Sequence, residues 1–274
     1  MTHYGLIGKT LGHSFSAEFF NDKFEKEGIE ADYRLLEMSS LEALRERTAH
    51  LRGFNVTIPY KQQILSLLDC VDPIAARIGA VNTVLRTPDG RLHGFNTDAP
   101  AFRASLLPLL PGPSLPTNGA PSPLPLSEPC LPFYGVKPRN SADAPSSLHA
   151  LILGTGGASR AVQAALQDLG IPFTLVSRTA APGRLTYESL TPEIIAANRL
   201  IINATPLGTF PDVASCPPIP YEALTGDHIC HDLVYNPATT EFMRRAASHG
   251  ATVKNGLEML HRQALLAWHI WTQK

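Results

Sequence analysis

One glycine-rich segment restricts the folds open to this chain more than any other part of the sequence. An apolar run over residues 149–153 leads into the glycine-rich residues 154–157, and a helical pattern then continues to about residue 169. A second apolar run covers residues 172–177. Strand, glycine turn, helix and strand in this order predict a βαβ unit. Such a turn lets the backbone approach a pyrophosphate at the helix N-terminus, so the segment predicts dinucleotide binding, with a purely structural turn as the alternative.

Short apolar runs alternate with helical patterns along most of the remaining chain, as in α/β proteins. Before residue 100, strands are predicted near residues 4–8, 33–37, 53–58 and 80–86, and helices near 16–27, 41–50 and 59–68. Later strands are predicted near residues 199–203, 229–234 and 251–254, and later helices near 239–249 and 257–272. The predicted fold class is α/β, with an N-terminal α/β domain followed by a Rossmann-type doubly wound dinucleotide-binding domain.

A proline-rich stretch interrupts this alternation. Residues 108–147 hold eleven of the chain's 24 prolines together with scattered Ser and Gly. Such a composition buries too little apolar surface to offset the entropy of ordering, so we expect an insertion or linker there. The predicted domains are therefore residues 1–107 with 257–274, and residues 148–256. The final helix is expected to fold back onto the first domain.

The overall composition argues against several classes of partner. Hydrophobic residues make up 44% of the 274 residues, enough for two cores, and the formal net charge is −1. This balance offers no excess positive charge for nucleic acid or an anionic membrane. With neither a signal-peptide pattern nor a run of about 18 apolar residues, the sequence predicts a cytoplasmic protein. Its four widely spaced cysteines predict neither a metal site nor a disulfide framework.

The residues that follow the second strand of the βαβ unit predict which dinucleotide binds. NAD-binding domains usually place a carboxylate there to bind the ribose 2'-hydroxyl. This chain has Ser177-Arg178-Thr179 instead. A guanidinium group pairs well with a 2'-phosphate, so we expect NADP as the cofactor. Arg178 as an ordinary solvated surface charge is the alternative.

Polar side chains cluster at the ends of the strands predicted in the first domain. They lie in residues 13–16, 55–61, 80–83 and 96–98, which read HSFS, NVTIPYK, AVNT and NTD. Ligands of open α/β sheets bind in crevices at strand ends. We therefore expect these hydroxyl and amide groups, with one lysine and one aspartate, to converge on one small polar molecule.

These four motifs, with four later ones, resemble the shikimate/quinate dehydrogenase family. In order they are H-S-x-S, N-V-T-x-P-x-K, A-V-N-T, N-T-D, G-x-G-G-A-S-R-A, N-A-T-P-L-G, D-x-x-Y-N-P and N-G-x-x-M-L-x-x-Q-A. The resemblance covers nearly the whole chain except residues 108–147. It implies a two-domain enzyme of aromatic amino-acid biosynthesis that reduces 3-dehydroshikimate to shikimate with NADPH, in a cleft between the domains.

Carried over position by position, the resemblance implies the site residues. Lys61 and Asp98 are the implied catalytic pair. The implied substrate-binding residues are Ser14, Ser16, Thr57, Lys61, Asn82, Asp98, Tyr235 and Gln263. The implied cofactor-binding residues are Gly154, Gly156, Gly157, Ala158, Ser159, Ser177, Arg178, Thr179, Asn203, Thr205, Val234, Gly256 and Met259. A monomer or a homodimer is expected.

Simple chemistry supports the implied roles, and local alternatives remain for several of them. Reduction of a ketone needs a proton for the developing alkoxide, which a protonated Lys61 oriented by Asp98 supplies. Lys61 as a surface lysine, Asp98 as a helix N-cap and Ser16 as a helix cap are the alternatives. Gln263 shares a helical face with apolar neighbours, and a backbone-satisfied amide is its alternative.

Departures from the family pattern and rival functions also remain. Ser177 stands where Asn is common, Thr209 where Met is common, and Pro100-Ala101 where Gly is frequent. Ser16 fits shikimate better than quinate, because enzymes acting on quinate often carry Thr at that position. A quinate or aminoshikimate dehydrogenase is the nearest rival, and a non-catalytic NADP-binding regulator is the rival of another class.

Overall fold

The computed structural model describes residues 1–12, 14–110 and 148–273. Within them the chain forms two compact units, residues 1–97 with 263–273, and residues 98–110 with 148–262. The boundaries expected from the sequence, at residues 107 and 257, fall ten and six residues away from these. Most of the predicted proline-rich segment, residues 111–147, lies outside the described residues, as does His13.

The first unit is built on a mixed six-stranded sheet. Its strands are β1 (Thr2–Gly8), β2 (Ala31–Glu37), β3 (Gly53–Val56), β4 (Cys70–Val71), β5 (Thr83–Arg86) and β6 (Leu92–Phe95). They lie in the order β2-β1-β3-β5-β6-β4, and β5 is antiparallel to both of its neighbours. The helices are α1 (Phe15–Glu27), α2 (Leu44–Arg47), α3 (Tyr60–Gln63) and α4 (Pro73–Ile78).

An aromatic cluster completes the core of this unit. Trp271, which is 1% exposed, stacks on Tyr4 with ring centroids 5.0 Å apart and packs on Phe20 at 5.3 Å. Its indole Nε1 donates a hydrogen bond to the carbonyl oxygen of Val84 at 2.9 Å. Buried indole nitrogens need such an acceptor, and this one fixes the last helix on strand β5.

The second unit is an all-parallel sheet flanked by helices. Its strands are β7 (Ala150–Leu153), β8 (Phe173–Ser177), β9 (Arg184–Thr186), β10 (Leu200–Asn203), β11 (Ile229–Asp232) and β12 (Thr252–Lys254). The helices are α5 (Asp98–Leu106), α6 (Gly157–Asp168), α7 (Pro192–Ala197) and α8 (Glu241–Ser248), and α9 (Leu257–Thr272) begins in this unit and continues into the first.

The strand order identifies the fold of the second unit. The order β12-β11-β10-β7-β8-β9 corresponds to 6-5-4-1-2-3 when the strands are counted within the unit. This is the doubly wound dinucleotide-binding order, so the predicted Rossmann-type fold is confirmed. Helix α5 belongs to this unit because it packs on α6 and because its Phe102 ring lies 5.1 Å from that of His231. No helix among the described residues is long and apolar enough to cross a membrane.

Candidate active site

In the first unit, Thr57 and Asn82 lie close together at the edge of the sheet formed by the carboxyl ends of β1 and β3. Strands β1 and β3 are parallel, with Ile7 beside Val56, so both end at this edge. Thr57 follows β3 and its backbone N–H donates to the carbonyl of Ile7 at 2.9 Å. Asn82 precedes the antiparallel strand β5, and its carbonyl accepts the N–H of Val56 at 2.9 Å. The topology therefore brings two of the predicted substrate-binding residues together.

A buried polar network fixes this edge. The Asn55 Nδ2 donates to the carbonyl of Asn82 and to the Thr83 Oγ1, both at 3.1 Å. The Asn82 side chain in turn makes two hydrogen bonds to Thr97. Its Oδ1 accepts the Thr97 N–H at 2.7 Å, and its Nδ2 donates to the Thr97 Oγ1 at 2.9 Å. Thr97 immediately precedes Asp98, so Asn82 positions the backbone that carries the predicted catalytic carboxylate.

The same network extends to the start of helix α1. Ser14 occupies the N-cap position but makes no side-chain capping bond, and Ser16 lies inside the helix. The Ser16 hydroxyl bonds to the phenol of Tyr33, whose Oη donates to the Asn55 Oδ1 at 2.8 Å. Complete burial raises the pKa of Tyr33 well above its ordinary value, which keeps the phenol a donor. Helix capping by Ser16, the local alternative, is therefore not what the structure has.

The predicted catalytic and ring-binding residues are divided between the two units. Lys61 is half-buried on α3, and its carbonyl accepts the N–H of Val81 at 2.7 Å, which ties α3 to the segment before β5. Gln263 is half-buried on the part of α9 that belongs to the same unit. In the second unit, Asp98 is the first residue of α5 and 7% exposed, while Tyr235 is 38% exposed.

The predicted pyrophosphate turn lies between β7 and α6. Gly154 has a φ of +104°, and a Cβ placed on it would lie 3.0 Å from the Thr205 Cγ2. Gly156 is the N-cap of α6 with a φ of −76°, and nothing lies within 4 Å of the position of its Cβ. The predicted contact Ser159 is completely buried and accepts a hydrogen bond from Gln163 at 3.2 Å. The turn therefore has an open approach at Gly156, beside the free N–H groups of a helix N-terminus.

The predicted 2'-phosphate site lies at the end of the neighbouring strand. β8 ends at Ser177, whose side chain is buried and donates a hydrogen bond to the carbonyl of Thr179. This bond tightens the turn around Arg178, whose side chain is exposed. The salt bridges formed among the described residues do not include Arg178. Its guanidinium group is therefore available to an anionic ligand.

A buried carboxylate holds the next two loops of this unit in place. Asp232, at the end of β11, accepts hydrogen bonds from the Asn203 Nδ2 at 2.9 Å, the Val234 N–H at 3.0 Å and the Thr240 Oγ1 at 2.6 Å. The Asn203 Oδ1 then accepts the N–H and the Oγ1 of Thr205, at 3.0 and 2.6 Å. Burial raises the pKa of Asp232 to about 6, while its three donors act in the opposite direction.

Asp232 supports several of the predicted cofactor-binding residues, and sequence reasoning missed it. The sequence predicts roles for Asn203, Thr205 and Val234 individually, but not for the carboxylate that joins them. A signal for it exists, since Asp232 is the first residue of the D-x-x-Y-N-P motif and directly ends an apolar strand. A carboxylate at zero exposure in that position needs several donors, which the surrounding loops supply.

The last predicted cofactor residues lie where helix α9 begins. The Gly256 N–H donates to the carbonyl of Val234 at 3.0 Å, and a Cβ on Gly256 would lie 2.1 Å from the Leu233 carbonyl oxygen. Only glycine fits this approach. Met259 is buried one turn further along the helix. These contacts fix the start of α9 against the loop that follows β11.

One cavity of about 370 Å³ lies away from these residues. It is lined by residues that include His3, His50, Arg52 and Arg86, at the edge where β1 and β3 begin. Thr57 and Asn82 lie at the opposite edge of the same sheet. The guanidinium group of Arg86 is already bonded to the carbonyls of Leu51, Gly90 and Thr48. This cavity is therefore bordered by structural arginines and is not the predicted substrate site.

Comparison with known proteins gives one consistent result. Residues 6–84 match the family model for the shikimate dehydrogenase substrate binding domain. The chain is 35% identical to a shikimate dehydrogenase (NADP(+)) of Thermus thermophilus, over 99% of this chain and 93% of that protein. It is 32% identical to the protein of the same name from Carboxydothermus hydrogenoformans, over 98% and 90% of the two chains.

A solved structure agrees with these relatives. The crystal structure of a shikimate 5-dehydrogenase from Thermus thermophilus, in complex with NADP(H) and shikimate, matches with a TM-score of 0.76 and 33% identity. The match covers 99% of this chain and 94% of that one. Because the similarity in sequence and in structure extends over nearly the whole chain, the protein belongs to the shikimate dehydrogenase family.

Proposed function

We propose that the protein catalyses the reversible reduction of 3-dehydroshikimate to shikimate with NADPH as the reductant. One observation carries the cofactor part of this proposal. Gly156 leaves open space in front of the N-terminus of α6, although the backbone conformation of the free protein does not require a glycine at this position. Membership of the family and the polar edge around Thr57 and Asn82 support the substrate part. NADP, rather than NAD, is favoured because Arg178 is exposed and Ser177-Arg178-Thr179 contains no carboxylate.

NADPH, which the turn at Gly156 and the Arg178 guanidinium group would hold, would supply the hydride for the carbonyl carbon of the substrate. The Lys61 ammonium group donates a proton to the carbonyl oxygen as negative charge develops on it, and solvent then returns a proton to Lys61. The net reaction consumes one proton with each molecule of NADPH. Asp98 orients Lys61, while Asn82 holds the backbone at Thr97 and so keeps Asp98 in its place.

The remaining site residues are proposed to select the substrate. The hydroxyls of Ser14 and Ser16 bind its carboxylate at the start of α1, where helix N–H groups add to the attraction. Thr57, Asn82 and Gln263 bind the ring hydroxyls, and Tyr235 lies close to the carboxylate. Ser16 is held by Tyr33 through the network that also fixes Asn55, so a bulkier side chain at this position would disturb both.

Replacement of Lys61 tests the proposal. The variant Lys61→Met keeps the length of the side chain but removes the proton donor, so we expect the kcat for shikimate-dependent NADPH formation to fall at least about 100-fold. The measurement is NADPH absorbance, with circular dichroism to show that the fold is intact. Lys26→Met, an exposed lysine on α1, is the matched control and should keep full activity.

Three outcomes would contradict the proposal, each in a different part. Near-normal turnover in Lys61→Met would remove Lys61 from the reaction. If quinate or an aminoshikimate gave a higher kcat/KM than shikimate in the unaltered protein, the proposed substrate would be wrong. The proposed hydride and proton transfer would not be contradicted by that result. NADP binding without turnover of any of these acids would favour a non-catalytic regulator.

A further inference from the structure

Tyr187 and Arg178 leave the sheet of the second unit side by side. β8 and β9 are parallel neighbours, and Ser177 at the end of β8 is in register with Thr186 at the end of β9. Arg178 and Tyr187 are the next residues of the two strands. Because adjacent strands lie about 4.8 Å apart, the two side chains start from neighbouring positions at the carboxyl edge.

The backbone at Tyr187 is held in a fixed turn. Residues Tyr187–Ser189 form a short 3-10 helix with a capping box. The Ser189 Oγ accepts the Thr186 N–H at 3.0 Å and donates to the Thr186 carbonyl at 2.8 Å. The Tyr187 ring packs against the hydrophobic core of the unit. The direction of this side chain is therefore fixed before any ligand arrives.

The hydroxyl group of Tyr187 is buried and, within the described part of the chain, lacks the hydrogen bond that such a group normally makes. Its Oη is buried and has no hydrogen-bond partner among the described residues. Buried hydroxyls are almost always bonded, and one left without a partner destabilises the free protein. Burial raises the pKa of Tyr187, and the positive charge of Arg178 acts in the opposite direction. The phenol is thus a donor at neutral pH and lies within electrostatic range of Arg178.

We propose that Tyr187 is a further specificity-determining residue, whose hydroxyl donates a hydrogen bond to the 2'-phosphate of NADP beside Arg178. The inference rests on the proposed function, in which Arg178 binds this phosphate. Arg178 is exposed. In this proposal the phosphate of the bound cofactor reaches the buried phenol beside the Arg178 guanidinium group. NAD has only the ribose 2'-hydroxyl at this position and no phosphate, so we expect the Tyr187 hydroxyl to add little to its binding.

The variant Tyr187→Phe tests the inference because it removes only the hydroxyl. We expect the KM for NADP to rise about tenfold, as for a lost hydrogen bond to a charged group, with the KM for NAD and both kcat values unchanged. Calorimetry with adenosine 2',5'-bisphosphate should show the same loss of affinity, and 5'-AMP should show none. The Tm of the free protein should stay the same or increase, because an unsatisfied buried hydroxyl has been deleted.

Two further variants separate the possible failures. Arg184→Ala removes an exposed arginine of β9 that lies beside Leu175, away from the carboxyl edge, and should leave both cofactors unaffected. Arg178→Ala should weaken NADP more than NAD. A lowered Tm in Tyr187→Phe, with equal effects on NADP and NAD, would overturn the inference and make Tyr187 purely structural. If Arg178→Ala itself had equal effects on both cofactors, the proposed NADP site would fail independently of Tyr187.

Discussion

Two glycines of one turn are glycines for different physical reasons. Gly154 has a positive φ and would bring a Cβ to 3.0 Å from the Thr205 side chain, so the fold itself requires it. Gly156 has φ −76° and ψ −172°, an extended backbone that any residue adopts, and open space around it. The free protein has no need of a glycine at residue 156, which leaves close approach of a ligand as its reason.

The variant Gly156→Ala should therefore separate stability from binding. We expect the Tm to fall by no more than about 4 °C, since the N-cap preference for glycine over alanine is about 1 kcal/mol. The KM for NADP should rise at least about tenfold, because the added methyl group stands where the pyrophosphate approaches. Thermal unfolding and steady-state kinetics measure the two effects.

The companion variant Gly154→Ala should show the reverse order of effects. Its methyl group enters a backbone conformation that alanine avoids, so the Tm of the free protein should fall by several degrees. A large loss of stability in Gly156→Ala, with cofactor binding unchanged, would mean that both glycines serve the fold alone.

At the scale of single residues, the sequence predicts roles for the motif residues but not for the residues that hold them in place. The resemblance to the family implies the roles of Lys61 and Asp98, and the position of Arg178 after the second strand of the βαβ unit predicts its role. Asp232 and Tyr187 went unrecognised because their importance comes from unmet or shared hydrogen bonds, which depend on residues distant in the sequence. Asp232, for example, is joined to Asn203 across 29 positions.

At the scale of the elements, strand β11 carries two adjacent buried residues, His231 and Asp232, whose ionisation changes the free energy of unfolding in opposite directions as pH rises. Burial lowers the pKa of His231 to about 4, and the nearby charge of Lys254 acts in the same direction. Burial raises the pKa of Asp232 to about 6. Between about pH 4 and 6.5 the His231 side chain is protonated in the unfolded protein but largely neutral in the folded protein. The free energy of unfolding therefore rises with pH in this range. As pH rises from about 3.8 to 6, ionisation of Asp232 is easier in the unfolded protein, which disfavours folding.

Single substitutions on β11 should expose each effect. Relative to a variant that carries both substitutions, His231→Gln keeps only the effect of Asp232, so its free energy of unfolding should fall as pH rises from about 4 to about 6. Relative to the same reference, Asp232→Asn keeps only the effect of His231, so its free energy of unfolding should rise over about the same range. The change in each case is roughly 2 to 3 kcal/mol, measured by urea unfolding at a series of pH values. Identical pH profiles for the two variants would show that neither residue is responsible.

The longest helices were predicted well, whereas several short elements were missed or predicted too long. The helix pattern over residues 257–272 corresponds to α9, but the pattern over 41–50 gives only α2, Leu44–Arg47. Arg86 explains the shorter helix, because its guanidinium group bonds to both the carbonyl and the hydroxyl of Thr48 at the end of α2. Strand β4 has two residues and β9 three, too few for a periodic pattern to be recognised.

For the whole molecule, the first unit depends on residues from the end of the sequence. Trp271→Ala would remove the indole that stacks on Tyr4 and bonds to Val84, so we expect a loss of about 3–5 kcal/mol in that unit. Hydrogen exchange should accelerate in residues 1–97 and remain slower in residues 148–256, which have their own sheet and core. Equal acceleration in both units would mean that they unfold as one cooperative body.

The hydrogen bond between Trp271 and Val84 joins residues 187 positions apart. During synthesis the ribosome therefore releases strands β1 to β6 long before the indole that covers them exists. The second unit, whose sheet is made entirely of residues 150–254, is translated in the meantime and is free to fold first. We therefore expect the first unit, although its strands are made first, to complete its core only after the final helix has been made.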